Sequence, residues 1–238
     1  MTNLRALLIL AFLFVPTQLT AQTLETLPFD KQLQLAKVGD VDAQFAVGLA
    51  YESGRSGQPD EAEAAKWYRQ AALQGQVEAQ YRLAKLVTKG TKGLKKDPAT
   101  GLKLFADAAA KGYAPAMNAL GLIYQTGQGA TEDPKKAAEW YRKAADLKFA
   151  ESENNLGMLY LEGKGVGRDL GEAFKLFERA AAQGDGWALN NLGGMYEMGW
   201  GSPPNRDKAI DLYRQALAKG IVSAQANIDR VSTPPASP

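Results

Sequence analysis

The chain has 238 residues, 24 of them glycine and 39 alanine, with 45% apolar residues and a net charge of +2. That composition excludes a disordered chain and gives no global pull toward nucleic acid. It contains neither His nor Cys, which rules out disulfides, His-based triads, thiol nucleophiles and zinc sites built from imidazole or thiolate. Asp, Glu, Lys and Tyr remain for acid–base chemistry, but its commonest participant is missing, and a non-catalytic protein is expected.

Residues 1–21 read as an export signal. Arg5 precedes an apolar run from Ala6 to Val15, Pro16 breaks it, and Leu19-Thr20-Ala21 ends it as an approximate small-residue cleavage site, with Leu19 a less ideal occupant than Ala. The run is too short to span a bilayer, which takes about 20 residues. No Cys follows to carry a lipid. The expectation is a periplasmic protein of a bacterial host, with no integral membrane segment after cleavage near Ala21. Residues 22–28 are expected to form a flexible lead-in.

From residue 29 onward the chain repeats. Ala71-Ala72, Ala108-Ala109, Ala144-Ala145 and Ala180-Ala181 recur at spacings of 37, 36 and 36. A glycine column runs through Gly39, Gly75, Gly112, Gly184 and Gly220, with Lys148 standing in once. Val47-Gly48, Leu83-Ala84, Leu120-Gly121, Leu156-Gly157 and Leu192-Gly193 form a third column in the same register. Five units are expected at 41–76, 77–113, 114–149, 150–185 and 186–220.

Each unit predicts two helices. The first stops at Gly54, Gly90, Gly127, Gly163 or Gly199. The second starts at Asp60, Asp97, Asp133, Asp169 or Asn205, whose side chains suit an N-cap, and Pro98 and Pro134 follow at the first helical position. Trp67-Tyr68, Leu104-Phe105, Trp140-Tyr141, Leu176-Phe177 and Leu212-Tyr213 supply the bulky pair of the second helix. A helix this short is marginal alone, so each unit must bury its face on the next. Residues 29–40 match a second helix and 221–231 a capping first helix. Residues 232–238, rich in Pro and Ser, are expected to be disordered.

The pattern Ala116, Leu120-Gly121, Tyr124, Gly127, Gly129, Asp133, Ala137, Trp140-Tyr141 and Ala144-Ala145 resembles the Sel1-like repeat over roughly residues 29–230. The period of 36 separates it from the related tetratricopeptide repeat of 34. The second unit departs most: Ala84 stands for Gly, Val87 for Tyr, Gly101 for Ala, and one residue is inserted. The resemblance implies an all-α fold, an α-solenoid of helix-turn-helix repeats wound as a right-handed superhelix, with first helices lining the concave face. It implies an adaptor for other proteins. Bacterial members include envelope regulators, parts of secretion and motility machines, and immunity proteins against delivered phospholipases. A cysteine-rich subset linked to penicillin binding is not matched, since no cysteine is present.

At 100° per residue, one face of the first helices carries Phe45, Leu49, Glu52, Tyr81, Lys85, Thr88, Asn118, Leu122, Gln125, Asn154, Met158, Leu161, Asn190, Gly194 and Glu197. This strip is more apolar than a solvated face and is the candidate partner-binding surface; the alternative is that curvature buries some of it. Trp187 and Trp200 break their columns and read either as aromatic anchors or as covers over gaps in the last repeat. Arg82, Lys85, Lys89, Lys92, Lys95 and Lys96 form a basic stretch, either a solvated face or a contact for an acidic partner or membrane surface. Gly163-Lys164-Gly165 lacks the spacing of a phosphate loop, and Gly54-Arg55-Ser56-Gly57 is not a nucleophile elbow.

These features predict an exported protein-binding scaffold with no cofactor, no metal, no nucleic-acid partner and no further domain. The specific expectation is an immunity or inhibitor protein that neutralises a periplasm-acting toxin, such as a type VI secretion phospholipase. The alternative is an envelope regulator or assembly adaptor for a sensor kinase, a cell-wall hydrolase or a motility or secretion component.

Overall fold

The computed structural model describes Leu24 and residues 26–233; the expected export signal lies outside them. Twelve helices follow one another among the described residues: α1 Phe29–Lys37, α2 Val41–Ser53, α3 Glu61–Leu73, α4 Val77–Lys89, α5 Pro98–Ala110, α6 Ala114–Thr126, α7 Pro134–Asp146, α8 Ala150–Glu162, α9 Leu170–Ala182, α10 Gly186–Met198, α11 Arg206–Ala218 and α12 Ala224–Ser232. The even-numbered helices are the first helices of their units and the odd-numbered ones the second. Each packs on its neighbours in sequence, which makes the molecule an all-α solenoid.

The local signals act as their chemistry requires. Asp60, Asp97, Asp133, Asp169 and Asn205 each accept hydrogen bonds from backbone N–H groups in the first turn of α3, α5, α7, α9 and α11. Gly54, Gly127, Gly163 and Gly199 end first helices in the left-handed conformation. Gly90 also has a positive φ, but its ψ of 151° turns the chain elsewhere, into a tight loop closed by a bridge between Thr91 and Leu94. The inserted residue of the second unit is absorbed there. Lys148 takes φ 60° in the glycine column and is the one non-glycine with positive φ among the described residues.

Close approach of each helix pair depends on one missing side chain. A Cβ on Gly48 would lie 2.5 Å from the ring of Tyr68, and one on Gly157 or Gly193 would lie 2.8 Å from Phe177 or Tyr213. In the second unit the small residue moves across the interface. Ala84 is buried in α4, and Gly101 in α5 gives way to Thr88. Tyr68, Tyr141, Phe177 and Tyr213 are almost fully buried, while Trp67 and Trp140 are half-buried and pack at the edge of the core.

Two expectations at the ends are corrected. Where it is described, the segment before α1 is not free: Leu24 is fully buried, and Gln32 Nε2 donates to the carbonyls of Leu24 at 2.8 Å and Leu27 at 2.9 Å. The buried amide of Gln32 needs those acceptors, and they fasten the chain to α1. At the other end α12 runs three residues later at its start and one later at its finish than expected. Arg206 then holds the carbonyl of Thr233 at 2.9 Å. The rest of the expected tail, 234–238, lies outside the described residues.

Candidate protein-binding face

First helices are joined to one another by side-chain bonds that skip the second helix between them. Asn118 Oδ1 of α6 accepts from Ser152 Oγ at 2.8 Å and Asn155 Nδ2 at 3.1 Å, both on α8. Asn154 Oδ1 accepts from Asn191 Nδ2 of α10 at 2.8 Å, and Asn190 Oδ1 from Asn227 Nδ2 of α12 at 2.9 Å. At the other end Arg82 of α4 bonds Glu52 of α2 at 3.0 Å and lies over the Phe45 ring. Such short bridges put the first helices on the inner, concave side, and α8 and α10 also touch directly.

One junction lacks this link. Ala119 of α6 stands in the column of Arg82, Asn155, Asn191 and Asn227, and among the described residues no side-chain hydrogen bond joins α4 to α6. A cleft of about 700 Å³ opens there, walled by Tyr81, Phe105, Leu122, Ile123 and Phe149. Lys85 and Lys96 stand on its second-unit side and Glu151 on its fourth-unit side. A second cleft of about 260 Å³ lies over α10, lined by Asn190, Asn191, Asn227, Trp200, Tyr213 and Arg230.

The expected strip is only partly exposed. Leu122 is half-exposed and Lys85 exposed, with Lys85 Nζ set over the Tyr81 ring. Leu49, Tyr81, Met158 and Leu161 are half-buried, as is Gly194. Phe45, Asn118 and Asn154 are buried, which corrects their assignment to an open surface. Adjacent first helices close over them. Thr88 Oγ1 is buried against Gly101 and, among the described residues, is the one buried side-chain polar atom without a partner.

Glu52, Gln125 and Glu197 face inward for a structural reason. They accept the phenol hydrogens of Tyr68 at 2.5 Å, Tyr141 at 2.6 Å and Tyr213 at 2.8 Å. Where the second helix offers Phe105 or Phe177, with no hydroxyl, the first helix supplies Thr88 or Leu161 instead. Burial raises the phenol pKa values of all three tyrosines, and that of Tyr213 is pushed up to about 12. Arg230 pairs with Glu197, so that carboxylate is already committed.

Trp187, at the start of α10, is more than half exposed and lines neither cleft, whereas Trp200 is half-buried and walls the smaller one. Of the basic stretch, Arg82 is held by Glu52 and Glu78, and Lys89 by Glu61. Among the described residues no cluster of acidic side chains is arranged to hold a metal, and no helix is long and apolar enough to cross a membrane.

The family model described as Sel1 repeat matches residues 41–76, 77–113, 114–149, 150–185 and 188–221. The chain belongs to the Sel1 repeat family. A comparison with curated protein sequences gave no match. Among solved structures, c5321, described as a protective antigen present in uropathogenic Escherichia coli strains, is 32% identical with a TM-score of 0.77 over 85% of this chain and 43% of its own. A Sel1 repeat protein from Oxalobacter formigenes is 30% identical, also at 0.77, over 86% of this chain and 59% of its own. This chain thus spans about half the length of those relatives. Immunity protein Pa5087 from Pseudomonas aeruginosa shares the fold at 17% identity and a TM-score of 0.52, over 80% of this chain and 72% of its own.

Within the Sel1 pattern the second unit is the outlier in structure as well. The larger cleft lies where this unit meets the next, with Thr88, Lys96 and Ala119 on its wall. The bonds of Asn155, Asn191 and Asn227 between first helices, and the roles of Phe149, Glu151 and Arg230, were not singled out from sequence, whereas Lys96 was already part of the basic stretch. The signal for this asparagine ladder was available as asparagines recurring at intervals of 36 in otherwise variable columns.

Proposed function

We propose that this Sel1 scaffold is exported to the periplasm, where it caps a protein toxin with its concave face and neutralises it. The observation that carries the reading is the inner face itself. Two clefts share a row of first helices, and the larger one has an exposed leucine and lysines beside aromatic walls. Sel1 repeats mediate protein–protein binding, and blocking the mouth of an active site needs shape rather than chemistry. A chain without His or Cys suits that role. The export reading rests on Arg5, the apolar run from Ala6 to Val15, and Ala21. The likeness to Pa5087 is one of fold; it makes the immunity role compatible with this architecture and adds nothing about the partner.

Affinity capture from the periplasmic extract of the native host, followed by an activity assay on the captured protein, tests this reading. The expected result is a membrane-damaging enzyme, such as a phospholipase, whose activity is suppressed by an equimolar amount of the chain. Leu122→Asp should release the suppression while leaving the helical spectrum intact. Capture of a sensor kinase, wall hydrolase or machine component whose activity the chain does not suppress would overturn the toxin reading in favour of an adaptor.

A further inference from the structure

The larger cleft is long, apolar along its middle and charged at its ends. Its α6 wall runs from Pro115 to Thr126, about 16 Å of helix. Ala119, Leu122 and Ile123 form the middle of that wall, with Leu86 and Phe105 contributed by the second unit. Leu122 is half-exposed and Ala119 half-buried, so hydrocarbon surface there is open to water. Ala119 stands where the other junctions carry Asn155, Asn191 and Asn227. The polar groups beside it are already engaged: Thr126 Oγ1 donates to the Leu122 carbonyl at 2.8 Å, and the buried Asn118 gives its Oδ1 to Ser152 and Asn155. A stretch walled by alanine, leucine and isoleucine leaves the N–H and C=O groups of a peptide unpaired, whereas a hydrocarbon chain has none to pair.

Charge gives the cleft a direction. First helices run parallel in the solenoid, so the start of α8 and the end of α4 lie at its opposite ends. Glu151 stands at the first end, beside Phe149, while Lys96 follows α4 at the other and Lys85 lies part-way along that helix. Both lysines are exposed, and among the described residues neither pairs with a carboxylate. The other acids of the cleft are taken, Glu61 by Lys89 and Glu52 by Arg82. A negative group is therefore drawn to Lys85 and Lys96 and kept from Glu151. The volume of about 700 Å³ is that of a small-molecule site. The length of the wall is close to the roughly 15 Å that one lipid chain covers in half of a bilayer core.

We propose that the cleft between α4 and α6 binds a free long-chain carboxylate. The chain of this fatty acid lies along Ala119, Leu122 and Ile123 and points toward Phe149, and its carboxylate meets Lys85 and Lys96. The lysines select the charge, and the length of the apolar wall selects the chain. This site goes beyond the toxin reading and stands without it, since no partner protein is needed to form it.

Isothermal titration of the mature chain, residues 22–238, with tetradecanoate tests the proposal. Octanoate, tetradecyltrimethylammonium and tetradecanoyl-lysophosphatidylcholine serve as comparisons, each kept below its micelle concentration. Tetradecanoate should saturate a single site. Octanoate, which leaves about six methylenes' worth of the wall uncovered, should bind at least about tenfold more weakly. The ammonium and the lysophospholipid should also bind more weakly than tetradecanoate. Lys85→Glu combined with Lys96→Glu should reverse the preference in favour of the ammonium, a gain that misfolding would not produce. Ala119→Phe fills the apolar wall and should abolish saturable binding of tetradecanoate with the helical spectrum unchanged. Equal affinity for tetradecanoate and octanoate, a charge preference that survives the lysine exchange, full affinity in Ala119→Phe, or no saturable binding would overturn the proposal. Tighter binding of the lysophospholipid would assign the site to a membrane lipid and overturn the free acid. Toxin suppression by a chain that takes no fatty acid rejects this site alone. Fatty-acid binding with a captured partner that the chain does not suppress rejects the toxin reading alone.

Discussion

Gly121 shows how much of the packing depends on single atoms, because the ring of Tyr141 lies where its Cβ would stand. Gly121→Ala should therefore destabilise the solenoid by about 2 kcal/mol through overpacking. Urea unfolding measures this, and an unchanged midpoint would contradict it. The same ring column makes a statement about pH. Burial lifts the Tyr213 phenol from its ordinary value of 10.0 to about 12, so the folded state keeps a proton that the unfolded chain releases first. Its contribution to stability is complete below pH 10 and is lost as pH rises toward 12. The melting temperature should fall over that interval, and Tyr213→Phe should make the fall shallower. Identical slopes for the two proteins would show that the phenol does not contribute.

At the scale of the helix, the signals legible in sequence were those that act within a few residues. An aspartate before a proline and a glycine after a leucine-rich turn satisfy backbone groups locally, whatever packs above them, so the caps at Asp97 and Asp133 could be read directly. The one glycine-column exception follows the same logic. Lys148 holds a conformation that costs a side-chain-bearing residue about 1 kcal/mol. Lys148→Gly should raise the unfolding midpoint of the third and fourth units, as followed by hydrogen exchange in α7 and α8; a lowered midpoint would mean that the lysine side chain compensates elsewhere. Exposure was less legible. A helical wheel places Phe45, Asn118 and Asn154 on an outer face of one helix, but what covers them belongs to helices 36 residues away. The pairing of Tyr with Glu or Gln, and of Phe with Leu or Thr, spans two helices and became visible only when both were in place.

For the whole molecule, five similar units give a regular solenoid, and the departure of the second unit gives it a distinctive place. The insertion after Gly90, the exchange of small residues between Ala84 and Gly101, and Ala119 in the ladder column leave α4 and α6 unlinked where the others are bridged. Repetition could be read from composition and spacing because alanine and glycine recur in register. The cleft could not, because its walls come from residues as far apart in the chain as Glu52 and Glu151. The central claim is that the partner sits on the inner row of first helices. Hydrogen–deuterium exchange of the chain with and without its captured partner tests that claim most directly. Protection should concentrate on α4, α6, α8 and α10 and on the loop after Gly90. Protection confined to α5, α7, α9 and α11 would place the partner on the convex side and contradict the account.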